Sequence, residues 1–180
     1  GQHLPLVVHL NCRTAVGPGN SVGSGHSAYH MAAESGLFQF FPTNVQEAVD
    51  LSLIAHRIAE EALLPGIVAM DREQTGRSFQ EVKLPSLELI RSYLGEPGDM
   101  IQPSSSAQEC IFGEKRRRVP RWHSLQQPTL HGAFGGREVW GLTAAGQRPY
   151  FYDYLPSIIE KAFDDWAEKT GRKYSCLETF

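Results

Sequence analysis

A chain of 180 residues suits one domain with a sizeable core, and 41% hydrophobic with 21% charged residues is an ordinary globular composition. The formal net charge of −3 leaves no electrostatic footprint for nucleic acid, and no apolar run approaches the roughly 20 residues that cross a bilayer. Cys12, Cys110 and Cys176 are odd in number, far apart and without a CxxC pair, which argues against a disulfide framework or an iron–sulfur cluster in this stretch; the expected setting is a reducing cytoplasm.

In chain order, Leu4 to Leu10 is nearly continuous apolar sequence, the pattern of a strand buried on both faces of a parallel sheet. Such a strand needs neighbours on both sides, so the domain is expected to be incomplete at its N-terminus, with further strands supplied upstream or by another chain. Thr14 to Gly25, punctuated by Gly17, Pro18, Gly19 and Gly23, predicts a mobile loop at a strand end, where open α/β sheets place their ligand crevices. The glycine pairs lack the spacing of a dinucleotide fingerprint. A short helix around His26 to Ala33 and an apolar strand from Gly36 to Phe41 follow.

Asn44 to Leu64 is the clearest helix. Thr43 is placed to cap it, with Gln46 three residues on to complete a capping box. Val45, Ala48, Val49, Ser52, Ile58, Ala59, Ala62 and Leu63 recur at helical spacing, while Glu47, Asp50, Arg57, Glu60 and Glu61 fall mostly elsewhere. Pro65 ends the helix, and Gly66 to Met70 gives the next strand. Strand, helix and strand make a βαβ unit, hence a parallel sheet with a right-handed crossover.

Ser86 to Leu94 predicts a short helix. The stretch from Gly95 to Arg148, rich in Pro, Gly, Ser and Gln, reads as a long irregular segment that wraps a surface or docks on a partner, with Trp122, Phe134 and Trp140 in need of something to bury against. A last helix runs from Asp153 to Lys169, with Gly171 as its C-cap. The expected whole is a single domain over 1–180, α/β, with a mainly parallel sheet flanked by helices.

Motifs for chemistry are sparse. His26 and His30 have the spacing of two ligands on one helix face, but no third ligand accompanies them and no metal site is expected. Ser24-Gly25-His26 lacks the GxSxG pattern of a nucleophile elbow. Lys115 to Arg118 is a positive run that suits a solvated loop or a salt-bridged contact better than nucleic acid.

The order and spacing of many small matches go further. Gly25-His26, Ala32-x-x-Ser35-Gly36, Val45-Gln46-Glu47-Ala48, Ile54-Ala55-His56, Pro65, Asp71 and Thr75 resemble, without a gap, the first domain of pyruvate:ferredoxin oxidoreductases. Leu4 to Leu10, Arg148-Pro149-Tyr150-Phe151 and Thr170 to Tyr174 are similar to that family as well. The resemblance implies a pyrimidine-type thiamine diphosphate-binding domain whose cofactor, with magnesium, lies between it and another domain or chain. It further implies oxidative decarboxylation of a 2-oxoacid, iron–sulfur clusters in partner domains only, electron transfer to ferredoxin or flavodoxin, and an oligomer. His26, Tyr29, His30, Glu34, Ser35, Asp71 and Thr75 lie where the family faces substrate or cofactor.

Three departures qualify these implications. The family's cofactor-activating glutamate belongs to a segment upstream of residue 1, so no residue here inherits that role. Where the family reads Arg-Gln-Thr-Gly, its arginine gripping the substrate carboxylate, this chain reads Ala33-Glu34-Ser35-Gly36. A charge-assisted pair of that kind contributes about 1.5–3 kcal/mol, roughly 10- to 150-fold in binding. Where the family reads Gly-Phe-Arg-Thr after the strand aspartate, this chain reads Arg72-Glu73-Gln74-Thr75. A 2-oxoacid other than pyruvate, or a relocated carboxylate clamp, is expected; a degenerate, non-catalytic assembly subunit is the alternative.

Overall fold

A computed structural model describes residues 3–13, 15–16, 19–20, 25–121 and 136–176. Its main sheet has three strands in the order β1-β5-β4, all parallel: β1 (Val7–Cys12), β4 (Phe38–Phe40) and β5 (Gly66–Asp71). Helix α2 (Val45–Ala62) joins β4 to β5, as the βαβ pattern requires. Between β1 and β4 lie a two-residue antiparallel pair, β2 (Ala15–Val16) and β3 (Gly19–Asn20), and the short helix α1 (Ser27–Ala33). The glycine-rich stretch therefore contains a small ladder; Thr14, Gly17, Pro18 and 21–24 fall outside the described residues.

The most buried strand is β5, not β1. Gly66 to Ala69 and Asp71 are buried in β5, whereas Val8 is 39% exposed and Cys12 alone in β1 is fully buried. The reason is positional: β5 has hydrogen-bonded neighbours on both sides, whereas β1 pairs only with β5 among the described residues. An apolar run records strand propensity but does not say which strand is central.

The principal core lies between the sheet and α2, α3 (Leu87–Leu94) and α6 (Leu155–Thr170), where Ile54, Ile58, Val68, Tyr93, Phe163 and Trp166 meet. On the other face, Cys12, Ile67 and Ala69 pack beneath α1 with Tyr29, Ala32 and Phe41. Gly66 is required at the start of β5, because a Cβ there would lie 2.1 Å from the Phe38 ring. Gly66→Ala is expected to cost about 1–3 kcal/mol through overpacking. Phe38→Leu in the same chain should recover part of that loss in a urea titration; no recovery would place the strain elsewhere.

The start of α2 corrects the predicted cap by one residue. Asn44, in extended conformation, accepts the Glu47 amide at 2.9 Å, and the Glu47 carboxylate receives the Thr43 amide at 2.7 Å. Gln46, freed from the capping box, accepts from the Lys83 amide at 2.7 Å and donates to the Lys83 carbonyl at 3.2 Å, tying the segment before α3 to α2. Asp50 belongs to the buried set, not the polar face. It is wholly enclosed and receives Arg172, Tyr174 and Gln46, so its charge is answered by several donors. His56 is exposed.

The region from Gly95 to Arg148 is not irregular throughout. It carries a short antiparallel pair, β6 (Met100–Ile101) with β7 (Arg116–Arg117), then α4 (Ser106–Phe112) between them and α5 (Arg137–Gln147) beyond. A π-helical turn, Arg148–Tyr152, leads toward α6, which ends at Gly171 in the left-handed conformation. Composition concealed these elements because two are two-residue strands and α4 is a single capped turn or two. Trp122 and Phe134 lie outside the described residues, and Trp140 is 74% exposed on α5.

The basic run is also different from a solvated patch. Arg116 is fully buried, and its guanidinium donates to the carbonyls of Glu60 and Glu61 at the end of α2, to those of Arg117 and Arg118, and to Gln108 Oε1. It closes the C-terminus of α2, where unpaired carbonyls and the helix dipole favour a cation.

Candidate functional site at the C-terminal edge of the sheet

β1 and β5 end in register, Cys12 opposite Asp71. Just beyond, the chain turns tightly on the Asp71 carboxylate. Its Oδ1 accepts the Glu73 and Gln74 amides at 2.8 and 2.9 Å, and its backbone carbonyl accepts those of Thr75 and Gly76. A short acidic side chain that bonds to amides two and three residues ahead is a local turn former, which is why the strand stops here.

The second carboxylate oxygen looks across to α1. His26, the residue before the helix, places Nε2 at 3.1 Å from Asp71 Oδ2, with the imidazole half exposed and the carboxylate covered. His26 makes no cap bond to α1 because its ring is committed to Asp71. Phe41 lies edge-on to both His26, at 4.9 Å, and Tyr29, at 5.2 Å. Gln39 donates to the Tyr29 carbonyl and so ties β4 to α1. Tyr29 and Phe41 also border a cavity of about 380 Å³ reaching Phe163 and Tyr174.

Electrostatics follow from this packing. The Gln74 amide, with His26 and the Glu73 amide adding to it, holds the Asp71 carboxyl below its ordinary value, against the opposing effect of burial. Burial pushes the Cys12 thiol up, the Tyr29 backbone opposes this and the Asp71 charge adds to it; fully buried beside Ile67 and Ala69, Cys12 packs as the floor of the crevice. Thr75 is 6% exposed, and its hydroxyl is buried with no hydrogen-bond partner among the described residues.

Of the seven residues picked out in the sequence, the structure brings His26, Tyr29, Asp71 and Thr75 to the strand ends. His30 is exposed, its ring edge against Tyr29 at 5.6 Å. Glu34 and Ser35 sit exposed at the other end of α1, where Ser35 bonds back to the Ala32 carbonyl. Phe41 and Gln39 escaped the sequence reading, while Cys12, read as a core residue, is fully buried. The available signal was position: Phe41 and Gln39 lie at or near the end of the strand predicted from Gly36 to Phe41.

A parallel sheet with a polar crevice at its strand ends, roofed by a short helix, defines an α/β ligand-binding domain. Residues 1–135 match the family described as pyruvate flavodoxin/ferredoxin oxidoreductase, thiamine diP-binding, and the chain belongs to that family. It is 26% identical over 178 residues to a pyruvate-flavodoxin oxidoreductase of Nostoc sp., covering 99% of this chain and 13% of that protein. It is 26% identical over 191 residues to the pyruvate synthase subunit PorA of Pyrococcus furiosus, covering 100% of this chain and 41% of that subunit. The alpha subunit of an NADH-dependent phenylglyoxylate dehydrogenase from Aromatoleum evansii is likewise 26% identical, over 188 residues, covering 98% of this chain and 40% of the subunit. The chain thus spans less than half the length of these relatives.

The crevice fits one wall of a thiamine diphosphate site. An aminopyrimidine ring needs a flat apolar surface and polar groups along its edge; Tyr29, Phe41 and the unanswered Thr75 hydroxyl offer these. It also needs a free carboxylate; Asp71 is engaged by His26 and two amides and Glu47 by Thr43 and Asn44, while Glu73 on the Asp71 turn is exposed. No helix among the described residues is long and apolar enough to cross a membrane.

Proposed function

We propose that this chain is the pyrimidine-type domain of a thiamine-diphosphate-dependent oxidoreductase that oxidatively decarboxylates a 2-oxoacid and passes electrons to ferredoxin or flavodoxin. The reading rests chiefly on one observation: His26, Tyr29, Asp71 and Thr75 meet at the C-terminal edge of a parallel sheet, inside the stretch that matches the thiamine diphosphate-binding family. When bound, thiamine diphosphate supplies the carbanion chemistry by which a 2-oxoacid loses carbon dioxide. Tyr29, Phe41 and Thr75 would line the ring, while Asp71 fixes the position of His26 at the crevice mouth. His30, Glu34 and Ser35 would flank the approach from α1.

The activating carboxylate, the magnesium-bound diphosphate and the iron–sulfur clusters would come from other domains or subunits of the same cytoplasmic, oligomeric enzyme. The edge of β1 that has no strand partner among the described residues, the 55% exposed Leu6 just before it, and the exposed Trp140 and Leu142 of α5 support such contacts. Pyruvate and phenylglyoxylate, named in the relatives, are both 2-oxoacids that differ in the group beside the carbonyl. Ala33 in place of the expected arginine favours an acid other than pyruvate.

A second reading, a non-catalytic assembly subunit, draws on that same alanine. The two divide on one measurement. With the neighbouring subunits present, magnesium thiamine diphosphate should bind in a calorimetric titration and a 2-oxoacid should then reduce ferredoxin or flavodoxin. Absence of cofactor binding in the complete assembly would leave only the structural role.

A further inference from the structure

We infer that Arg13, Arg72 and Arg77, with Asn11, form an anion site at the ends of β1 and β5 that takes the carboxylate of a 2-oxoacid. The inference rests on the proposed reaction for the identity of the ligand, though not for the existence of the site.

The four side chains line one shallow cavity. Arg13 follows Cys12 and Arg72 follows Asp71, the paired last residues of the two strands, and the Arg72 amide donates to the Cys12 carbonyl at 3.2 Å. Arg77 leaves the far end of the Asp71 turn, whose four backbone bonds to Asp71 fix the loop between it and Arg72. Gly76 brings that turn against β1: a Cβ there would lie 3.2 Å from the Asn11 amide group and from the Arg72 carbonyl. The backbone holding all four residues is therefore braced, although the side chains reach into solvent.

None of the three guanidinium groups has a hydrogen bond or ion pair among the described residues, whereas Arg57, Arg116, Arg118, Arg148 and Arg172 all do. Glu73, adjacent to Arg72, is exposed and pairs with none of them. Among the residues outside the description, 14–24 and 122–135 contain neither Asp nor Glu. Three cations gathered on one cavity repel one another until an anion enters, and guanidinium forks match a carboxylate in a bidentate way. The site lies next to the Asp71 that holds His26, on the same strand ends. It thereby offers a replacement for the positive charge that residue 33 lacks.

The test uses the complete enzyme with its partner subunits, as wild type, Arg72→Ala/Arg77→Ala and Arg72→Lys. Oxamate, a non-reacting 2-oxoacid mimic, and inorganic phosphate are titrated calorimetrically, and turnover is measured against 2-oxoacid concentration. Oxamate should bind the wild type saturably and the double variant about 10- to 150-fold more weakly, with the loss falling on KM and partial retention in Arg72→Lys. Equal oxamate affinity in wild type and double variant overturns the site. Saturable phosphate binding without oxamate binding overturns the carboxylate assignment. Oxamate binding through these arginines in a protein that turns over no 2-oxoacid refutes the proposed reaction and leaves the site standing; turnover with an unmoved KM does the reverse.

Discussion

Replacing Arg116 by methionine should destabilise the domain by about 3–5 kcal/mol and lower its thermal midpoint by roughly 6–20 °C. The side chain is 0% exposed, and every N–H of its guanidinium has an acceptor: four backbone carbonyls and Gln108 Oε1. Methionine fills much of the space but donates nothing, so the carbonyls of Glu60 and Glu61 lose the partner that closes α2 while remaining covered. Gln108 still reaches the Glu61 carbonyl at 3.0 Å, which limits the loss there. Burial pulls the guanidinium down to about 10, which still leaves it charged at neutral pH and able to answer the negative end of the helix dipole. Lys115→Met removes an exposed charge one residue away and should change stability by less than about 0.5 kcal/mol. Equal melting of the two variants would show that the cap contributes nothing.

The Arg116 case marks where sequence reading stops. Periodicity located α2 and α6 because each has enough residues to repeat its pattern, and Pro65 and Gly171 mark where they stop. A run of four basic residues has no period, so nothing in it separates the fully buried Arg116 from its exposed neighbour Lys115. The same limit explains Asp50. The helical pattern groups it with the polar residues of α2, and only Arg172 and Tyr174, far along the chain, reveal that its place is the interior. Burial of a charge is decided by a partner, and partners distant in sequence leave no local trace.

The candidate site was legible to a different degree. His26, Asp71 and Thr75 came from a resemblance in spacing, and the fold brings them together because parallel strands end on one side of a sheet. That rule also explains the residues missed. Phe41 follows β4, and Arg13 and Arg72 each stand one step past a strand. Position after a strand's last residue was the informative variable, and residue type alone was not. The two expectations for β1 separate likewise: its apolar run gave a strand, but centrality belongs to β5, whose neighbours on both sides are known only from the pairing.

Removing the Asp71 side chain should cost about 2–4 kcal/mol, since Asp71→Ala deprives the Glu73 and Gln74 amides of their acceptor and releases His26. Asp71→Asn keeps an oxygen for the two amides and an NH2 group for the imidazole, and should cost about half as much or less. The two variants also differ from wild type in how stability depends on acid. The Asp71 carboxyl is held below its ordinary value in the folded chain, chiefly by the Gln74 amide. Between the folded value and the unfolded value of about 3.9, the unfolded chain binds the extra proton, so stability rises with pH across that interval. The contribution is complete above the unfolded value and disappears as pH falls through the folded one. Urea midpoints measured from pH 6 down to pH 2 should therefore fall more steeply for wild type than for Asp71→Asn. Parallel curves would mean that the carboxylate is no better stabilised in the fold than in the open chain, and the turn would then be held by its backbone bonds alone.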